Sequence, residues 1–289
     1  MALRFSHHMT VGTSFLRNAS RSAGLIITYR FNDTLWMRYA SRSAGLSREQ
    51  AELLERCSRL DVDAEDECER LAGAGRSDPL LDRLRSYLSS SPYEASAELN
   101  SLQPFLEAGM VQRVVLYYYS DSGAAHLVAL LLTEYLKRAG VAAEAVPAGE
   151  GERNLAAGLL NIMREVGSRA LRDQGEGYTI MLNITPGFKA EAAYFTLGLM
   201  LRNITALAYY RHEAMKSTVG VPLLHTTALR DAVTSLRAKV GARLEDLDAN
   251  ELVTVIAARL NSGRLSLGPV VKDDLVWAEE LLAASGITS

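Results

Sequence analysis

Residues 178–200 read YTIMLNITPGFKAEAAYFTLGLM. Tyr178 to Leu182 is an apolar, partly β-branched run, and Asn183, Ile184 and Thr185 lead into Pro186-Gly187-Phe188-Lys189. From there the apolar residues recur at helical spacing through Ala193, Leu197 and Met200, the pattern of a strand, a tight turn and a helix. In an open α/β sheet such a turn lies at the carboxyl end of a strand, where backbone N–H groups and the positive end of the helix dipole face the ligand crevice. Lys189, carried there, is suited to phosphate.

The same design opens the chain. Leu3 to Met9 reads as a strand, and Thr10-Val11-Gly12-Thr13-Ser14 turns from it into Phe15-Leu16-Arg17-Asn18. Serine and threonine cap helices in all kinds of proteins, so this turn taken alone reads as a plain cap; its pairing with the lysine turn raises the ligand reading. Val111 to Tyr119 is the clearest central strand. Ser120-Asp121-Ser122-Gly123 ends it before a helix over 124–139, with Asp121 equally an N-cap or a ligand contact. Further along come a strand at Val141–Val146, a helix from Asn154 to Leu171 with Leu155, Leu159, Ile162, Val166 and Leu171 as its apolar face, and a strand at Ile204–Tyr210. Arg211-His212-Glu213 and an extended Val219–Leu224 follow. Strand and helix alternate over 1–225, which predicts an α/β fold with a Rossmann-like, mostly parallel sheet.

Two regions stand outside that alternation. Residues 48–108 carry dense Glu, Asp and Arg between leucines and read as solvated surface helices, an insertion or cap from which Arg83 or Arg85 can reach an anion. Residues 226–289 read as two helices (227–240 and 248–261), an extended Gly263–Val271 and a last helix Lys272–Ala284. That order suits a small C-terminal helical or winged-helix-like domain. Its near balance of charge makes DNA binding the less favoured use. The segment Gly24–Ser47 has a mixed pattern with no firm assignment.

Composition narrows the chemistry. With 289 residues, 48% of them hydrophobic, and a net charge of −3, the chain buries a full core but has no basic field to hold a long nucleic acid, so an anionic ligand must be caught by a local pocket. No apolar run reaches the roughly 18 residues of a membrane span, and no signal-peptide h-region opens the sequence, so a cytoplasmic protein without membrane contact is expected. Cys57 and Cys68, eleven apart, stand roughly 16 Å from each other on a continuous helix and are expected as two buried, unbridged side chains. Neither cysteine nor any of His7, His8, His126, His212 and His225 has metal-ligand or triad spacing, so no metal and no cofactor is expected. Gly-x-Gly-x-x-Gly and the P-loop pattern are both missing, which argues against dinucleotide and NTPase sites.

Thr10-Val11-Gly12-Thr13-Ser14, the strand ending in Ser120-Asp121-Ser122, the turn Asn183-Ile184-Thr185-Pro186-Gly187-Phe188-Lys189-Ala190-Glu191 and then Tyr209-Tyr210-Arg211-His212-Glu213 together resemble the CRISPR-associated Rossmann-fold (CARF) proteins. Within that superfamily the chain resembles the small stand-alone archaeal ring nucleases, over roughly residues 1–225. One departure is Pro186-Gly187, where the family usually has Gly-Gly; proline fixes φ and removes an N–H. The resemblance implies a homodimer whose two-fold axis passes through a pocket for cyclic tetra-adenylate, the second messenger of type III CRISPR complexes. It also implies that Ser14 and Lys189 serve cleavage, while Gly12, Thr13, Asn18, Ser120, Asp121, Ser122, Asn183, Thr185, Gly187 and Phe188 surround the ligand.

RNA carries its own nucleophile, the 2′-hydroxyl, so such a site needs only to set that oxygen in line and stabilise charge on the phosphoryl oxygens. No metal is required, and the expected products are linear di-adenylates with 2′,3′-cyclic phosphate ends. The competing expectation is a sensor that binds without cleaving, or a winged-helix regulator. Arginine followed after four to six residues by histidine, the mark of a HEPN ribonuclease effector, does not occur.

Overall fold

The computed structural model describes residues 2–22, 30–31, 34–35, 45–74, 78–149, 154–187, 189–212 and 217–285. The mixed segment 24–47 lies almost wholly outside them. The strands are β1 (Phe5–Thr10), β2 (Arg30–Phe31), β3 (Thr34–Leu35), β4 (Arg113–Tyr118), β5 (Ala142–Pro147), β6 (Thr179–Asn183), β7 (Ala206–His212) and β8 (Ser217–Leu223). Six of them form one sheet in the order β5-β4-β1-β6-β7-β8, parallel except for the β7–β8 pair, and β2 and β3 pair separately. This is the Rossmann-like, mostly parallel architecture that the alternation predicts. The chain runs outward from β1 to β4 and β5, then returns to the other side of β1 with β6. The strand order therefore reverses between β1 and β6, and ligands of open α/β sheets bind at such a reversal, outside the carboxyl ends of the strands.

Helices cover both faces, as parallel strands require. One face carries α1 (Ser14–Ser22), the insert α2 (Arg48–Ser58), α3 (Val62–Gly73), α4 (Pro79–Ser90), α5 (Pro92–Ala95) and α6 (Ala97–Glu107), α7 (Gly123–Arg138), and the tail helix α11 (Ala249–Asn261). They share a core with Met9, Val114, Leu116, Met181 and Leu207. On the other face α8 (Leu155–Gly175) and α9 (Lys189–Met200) pack on Val115, Tyr117, Ile180 and Leu182. The alternation of neighbours along each strand follows the period-2 geometry of a pleat.

β1 is buried throughout even though it reads FSHHMT, so its two imidazoles need partners. His7 faces the insert side, with Nε2 2.8 Å from the Met110 carbonyl and Nδ1 2.9 Å from the Tyr209 hydroxyl. Burial lowers its pKa to about 3, so it donates through Nε2 and stays neutral. His8 faces α8, 2.9 Å from the Tyr117 hydroxyl and 3.3 Å from Asp173. Burial alone would raise the Asp173 carboxyl, but hydrogen bonds from His8 and Ser6 and the charge of Arg113 hold it at about 2.

Four expectations are corrected. Cys57 and Cys68 are joined in a disulfide with Cα atoms 6.3 Å apart. The continuous helix assumed for them breaks at residues 59–61, where Leu60 takes φ 57° and the Asp61 side chain caps α3 through the Asp63 N–H; α2 and α3 fold back on each other. Leu155 and Leu171 are about half exposed, and the buried row of α8 is Leu159, Ile162, Val166 and Ala170. In α9 the row Ala193, Leu197, Met200 faces outward while Phe195, Gly198 and Leu199 are buried. Close approach decides this rotation: a Cβ on Gly198 would stand 2.9 Å from the Met163 carbonyl, and one on Gly167 would stand 2.7 Å from Arg202. The two glycines must therefore face the α8–α9 contact. Finally, Gly263–Val271 is irregular rather than extended. The buried Arg259 guanidinium pairs with Asp274 at 2.9 Å and donates to the carbonyls of Ser266, Gly268 and Pro269, which ties those groups to a side chain instead of a strand.

The remaining tail helices are α10 (Thr226–Leu236) and α12 (Lys272–Ala284). α11 lies between them and β8, with every residue from Glu251 to Leu260 buried, so the tail is anchored on the sheet through that helix. Among the described residues no helix is long and apolar enough to cross a membrane.

Candidate functional site

The loops after β1 and β6 meet at the reversal point. Thr10 Oγ1 donates to the Pro186 carbonyl at 3.2 Å, and a Cβ on Gly12 would lie 3.6 Å from the Gly187 nitrogen. Gly187 has φ 82° and no room for a side chain: a Cβ there would stand 2.1 Å from Thr10 Oγ1 and 2.2 Å from Glu191 Oε2. The β6 loop is set by Asn183, whose Oδ1 accepts the Thr185 N–H at 3.0 Å while its amide donates to Ser101 Oγ at 2.6 Å, an Asx-turn locked to the insert. Thr185 Oγ1 in turn accepts the Arg211 N–H at 2.9 Å and so joins the end of β7 to the same edge.

Two cavities flank these loops. The larger, about 810 Å³, lies between α1 and the insert and is lined by Ser14, Arg17, Asn18, Arg21, Tyr93, Asn100, Gln103, Thr185 and Arg211 among others. The smaller, about 270 Å³, lies over Gly12, Thr13, Tyr119, Ser122 and Gly187 and contains Glu98 and Glu191. Ser14, Ala97 and Thr185 border both. Ser14 Oγ is buried with no hydrogen-bond partner among the described residues, a donor and acceptor held ready for something outside the chain.

The charge of the two spaces differs. Glu98 is buried, accepts the Gly12 N–H at 2.8 Å and the Ser96 hydroxyl at 2.6 Å, and burial pushes its carboxyl up against the pull of those hydrogen bonds. Glu191, also buried, stands in the first turn of α9 beside Tyr119. Burial and then that carboxylate raise the Tyr119 phenol far above its ordinary value. Against this acidic floor, the larger cavity has among the described residues three arginines on its walls and one carboxylate, Glu94.

The structure brings several expected site residues together. Ser14 and Thr185 line both cavities; Gly12, Thr13, Ser122 and Gly187 line the smaller and Asn18 the larger. Some are already engaged. Thr13 Oγ1 donates to the Ser58 carbonyl at 2.8 Å, Asn18 Nδ2 donates to the Ala95 carbonyl at 3.0 Å, and Ser122, not Asp121, caps α7 through the Ala125 N–H. Asn183 is buried behind the loop, and Ser120 and Asp121 line neither cavity. Lys189 is exposed at the start of α9 and is not among the residues lining either space. Phe188 lies outside the described residues. Arg83 and Arg85 are engaged elsewhere, by the Gly45 carbonyl and by Glu134.

Sequence reasoning named Ser14 and Asn18 but missed Arg17, Arg21, Arg211 and the insert residues that give the larger cavity its character. Ser14, Arg17, Asn18 and Arg21 follow the i, i+3, i+4, i+7 spacing of one helix face, opposite the buried Phe15, Leu16, Ala19 and Ser20. That polar stripe is legible in the sequence. Nothing local announces that Tyr93, Asn100 and Gln103 of the insert form the facing wall.

Residues 93–224 match a family described as CRISPR-associated protein (Cas_APE2256). The match supports a CRISPR-associated protein. It spans the end of the insert and the strands β4 to β8, and so takes in Asn183–Gly187 and Arg211 but neither β1 nor the Gly12-Thr13-Ser14 loop.

Proposed function

We propose that this protein binds cyclic tetra-adenylate and cleaves it as a metal-independent ring nuclease of a type III CRISPR system. The observation that carries the reading is the convergence of the Ser14 loop and the Thr185–Gly187 turn, at the β1–β6 reversal, on the border of an 810 Å³ cavity. The CRISPR association of residues 93–224 supports it. In the proposed reaction the ribose 2′-oxygen attacks the neighbouring phosphorus, the P–O5′ bond breaks, and the 2′-hydroxyl proton ends on the departing 5′-oxygen. Ser14 Oγ orients the 2′-hydroxyl or a phosphoryl oxygen, and Lys189 neutralises charge on the phosphoryl group. Lys189 is exposed in the first turn of α9, two residues beyond Gly187 of the smaller cavity, and a lysine stem has the rotamer freedom to carry its ammonium to a ligand.

A symmetric ligand calls for a symmetric pair of subunits. A second reading, a sensor that binds the ring without cutting it, is favoured by the lining of both cavities, which among the described residues includes no histidine to act as a proton acceptor.

One incubation separates the two. Purified protein with cyclic tetra-adenylate and cyclic hexa-adenylate in EDTA is expected to give linear di-adenylates with 2′,3′-cyclic phosphate ends from the tetramer, and Lys189→Ala is expected to slow that reaction while binding persists. Survival of both rings in the presence of wild-type protein leaves only the sensor, and undiminished cleavage by Lys189→Ala removes Lys189 from the chemistry.

A further inference from the structure

Anions at the strand ends of an open α/β sheet are ordinarily held by helix N-termini and the loops before them. In this chain such places hold its own carboxylates. Glu98 Oε1 takes the Gly12 N–H at 2.8 Å, Glu65 Oε2 takes the N–H groups of Gly123 and Ala124 at 2.6 and 3.3 Å, and Glu191 fills the start of α9 against Gly187. A phosphate in the smaller cavity would meet Glu98 and Glu191 in a buried setting, where like charges repel strongly.

The larger cavity has the opposite character. Arg17 and Arg21 lie one turn apart on the same face of α1, and Arg211 stands at the end of β7. None of the three has an ion pair among the described residues. Arg211 Nη2 donates to Gln103 at 3.3 Å, yet its Nε is buried with no hydrogen-bond partner among the described residues. A buried guanidinium N–H without an acceptor is costly, and a phosphate oxygen is the acceptor whose charge and fork geometry suit it.

We propose that Arg17, Arg21 and Arg211 form the phosphate-binding side of the ligand site, so that the phosphates of the bound nucleotide stand on the α1 side of the Ser14 loop and not in the smaller cavity. The insert supplies the base-binding wall. Tyr93 offers a ring for stacking, and Asn100, whose amide nitrogen donates to the Tyr93 carbonyl at 2.8 Å, keeps its oxygen as an acceptor for an exocyclic amine. This inference rests on reading the cavity as a nucleotide site and assigns its polarity.

The test is a binding titration with three probes, cyclic tetra-adenylate, ATP and inorganic tripolyphosphate, repeated at low and high salt. The proteins are the wild type, Arg17→Gln, Arg21→Gln, Arg211→Lys and the control Arg172→Gln, whose side chain stands at the opposite end of the sheet beside Arg113 and Asp173. Each substitution of the three is expected to weaken binding roughly tenfold or more, as loss of a charge-assisted contact does, and the two glutamine variants, which remove a charge, are also expected to flatten the salt dependence; Arg172→Gln is expected to bind like wild type. Equal binding of cyclic tetra-adenylate by wild type and all three arginine variants overturns the assignment while leaving the ring-nuclease reading intact. Arginine-dependent binding of ATP or tripolyphosphate by a protein that ignores cyclic tetra-adenylate keeps the assignment and removes the proposed ligand. Failure of wild type to bind any of the three overturns the inference.

Discussion

Replacing Gly187 by alanine tests the contact between the two site loops, and Gly177 provides its control. Both glycines have nearly the same backbone, φ 82° and φ 83°, so both alanine variants bear the same left-handed cost of about 1–2 kcal/mol. They differ in surroundings. Around Gly177 nothing lies within 4 Å of the added Cβ, whereas at Gly187 that atom would stand 2.1 Å from Thr10 Oγ1 and 2.2 Å from Glu191 Oε2. Relief at Gly187 requires a shift of about an ångström by both neighbours, since such contacts rarely close below about 3.0 Å. Moving Thr10 breaks its hydrogen bond to Pro186, about 0.5–1.5 kcal/mol, and moving the buried Glu191 carboxylate from its place adds about 1–3 kcal/mol. Gly187→Ala should therefore be roughly 2–4 kcal/mol less stable than Gly177→Ala. Urea unfolding of the two variants, with equal m-values as the check that only stability changed, measures the difference. Agreement of the two within about 0.5 kcal/mol would mean that the Ser14 loop and the Thr185–Gly187 turn do not pack as described, and the site built on them would go with it.

Two further outcomes follow from the fold. Cys57→Ala/Cys68→Ala opens a closed loop of separation 11; the chain-entropy relation gives a loss of about 3 kcal/mol, seen as a lower Tm that reductant no longer changes, and a wild-type Tm indifferent to reductant would refute the bridge. Acid should weaken the protein through β1. His7, about 3 in the fold against 6.5 unfolded, contributes stability that is complete above pH 6.5 and falls as pH drops, by about 1.4 kcal/mol per unit, until the folded value is reached. Asp173, depressed to about 2 from 3.8, adds stability present above pH 3.8 and lost toward pH 2. Unfolding at pH 7 and pH 5 should therefore differ by about 2 kcal/mol from His7, and His7→Gln, which keeps a donor and an acceptor, should remove that difference; an unchanged slope in the variant would refute a neutral His7.

The acidic floor bears on what the site can do. Glu98 and Glu191 place carboxylates beneath Ser14 and Thr185, and Arg17, Arg21 and Arg211 place guanidinium groups beside them. Such a field would hold a ligand with phosphates and ribose hydroxyls in one orientation, phosphates toward the arginines and hydroxyls toward the carboxylates.

The strand periodicity and turn chemistry of the sequence determined the sheet, because a parallel strand buried on both faces announces itself as a short apolar run bounded by polar turns. For the same reason the loops at Gly12–Ser14 and Asn183–Gly187 were legible as strand-end turns before any coordinate. Tertiary structure alone decided what meets them. Whether Cys57 reaches Cys68 depended on Leu60 breaking a helix; which row of α9 is buried depended on Gly198 nestling against α8; and the cavity wall of Tyr93 and Asn100 came from helices that read only as a solvated cap. Each of these is a contact between segments far apart in the chain. Local pattern fixes which face of a segment is apolar, but the partner of that face, and the charge it presents to a cavity, are set only when the segments pack.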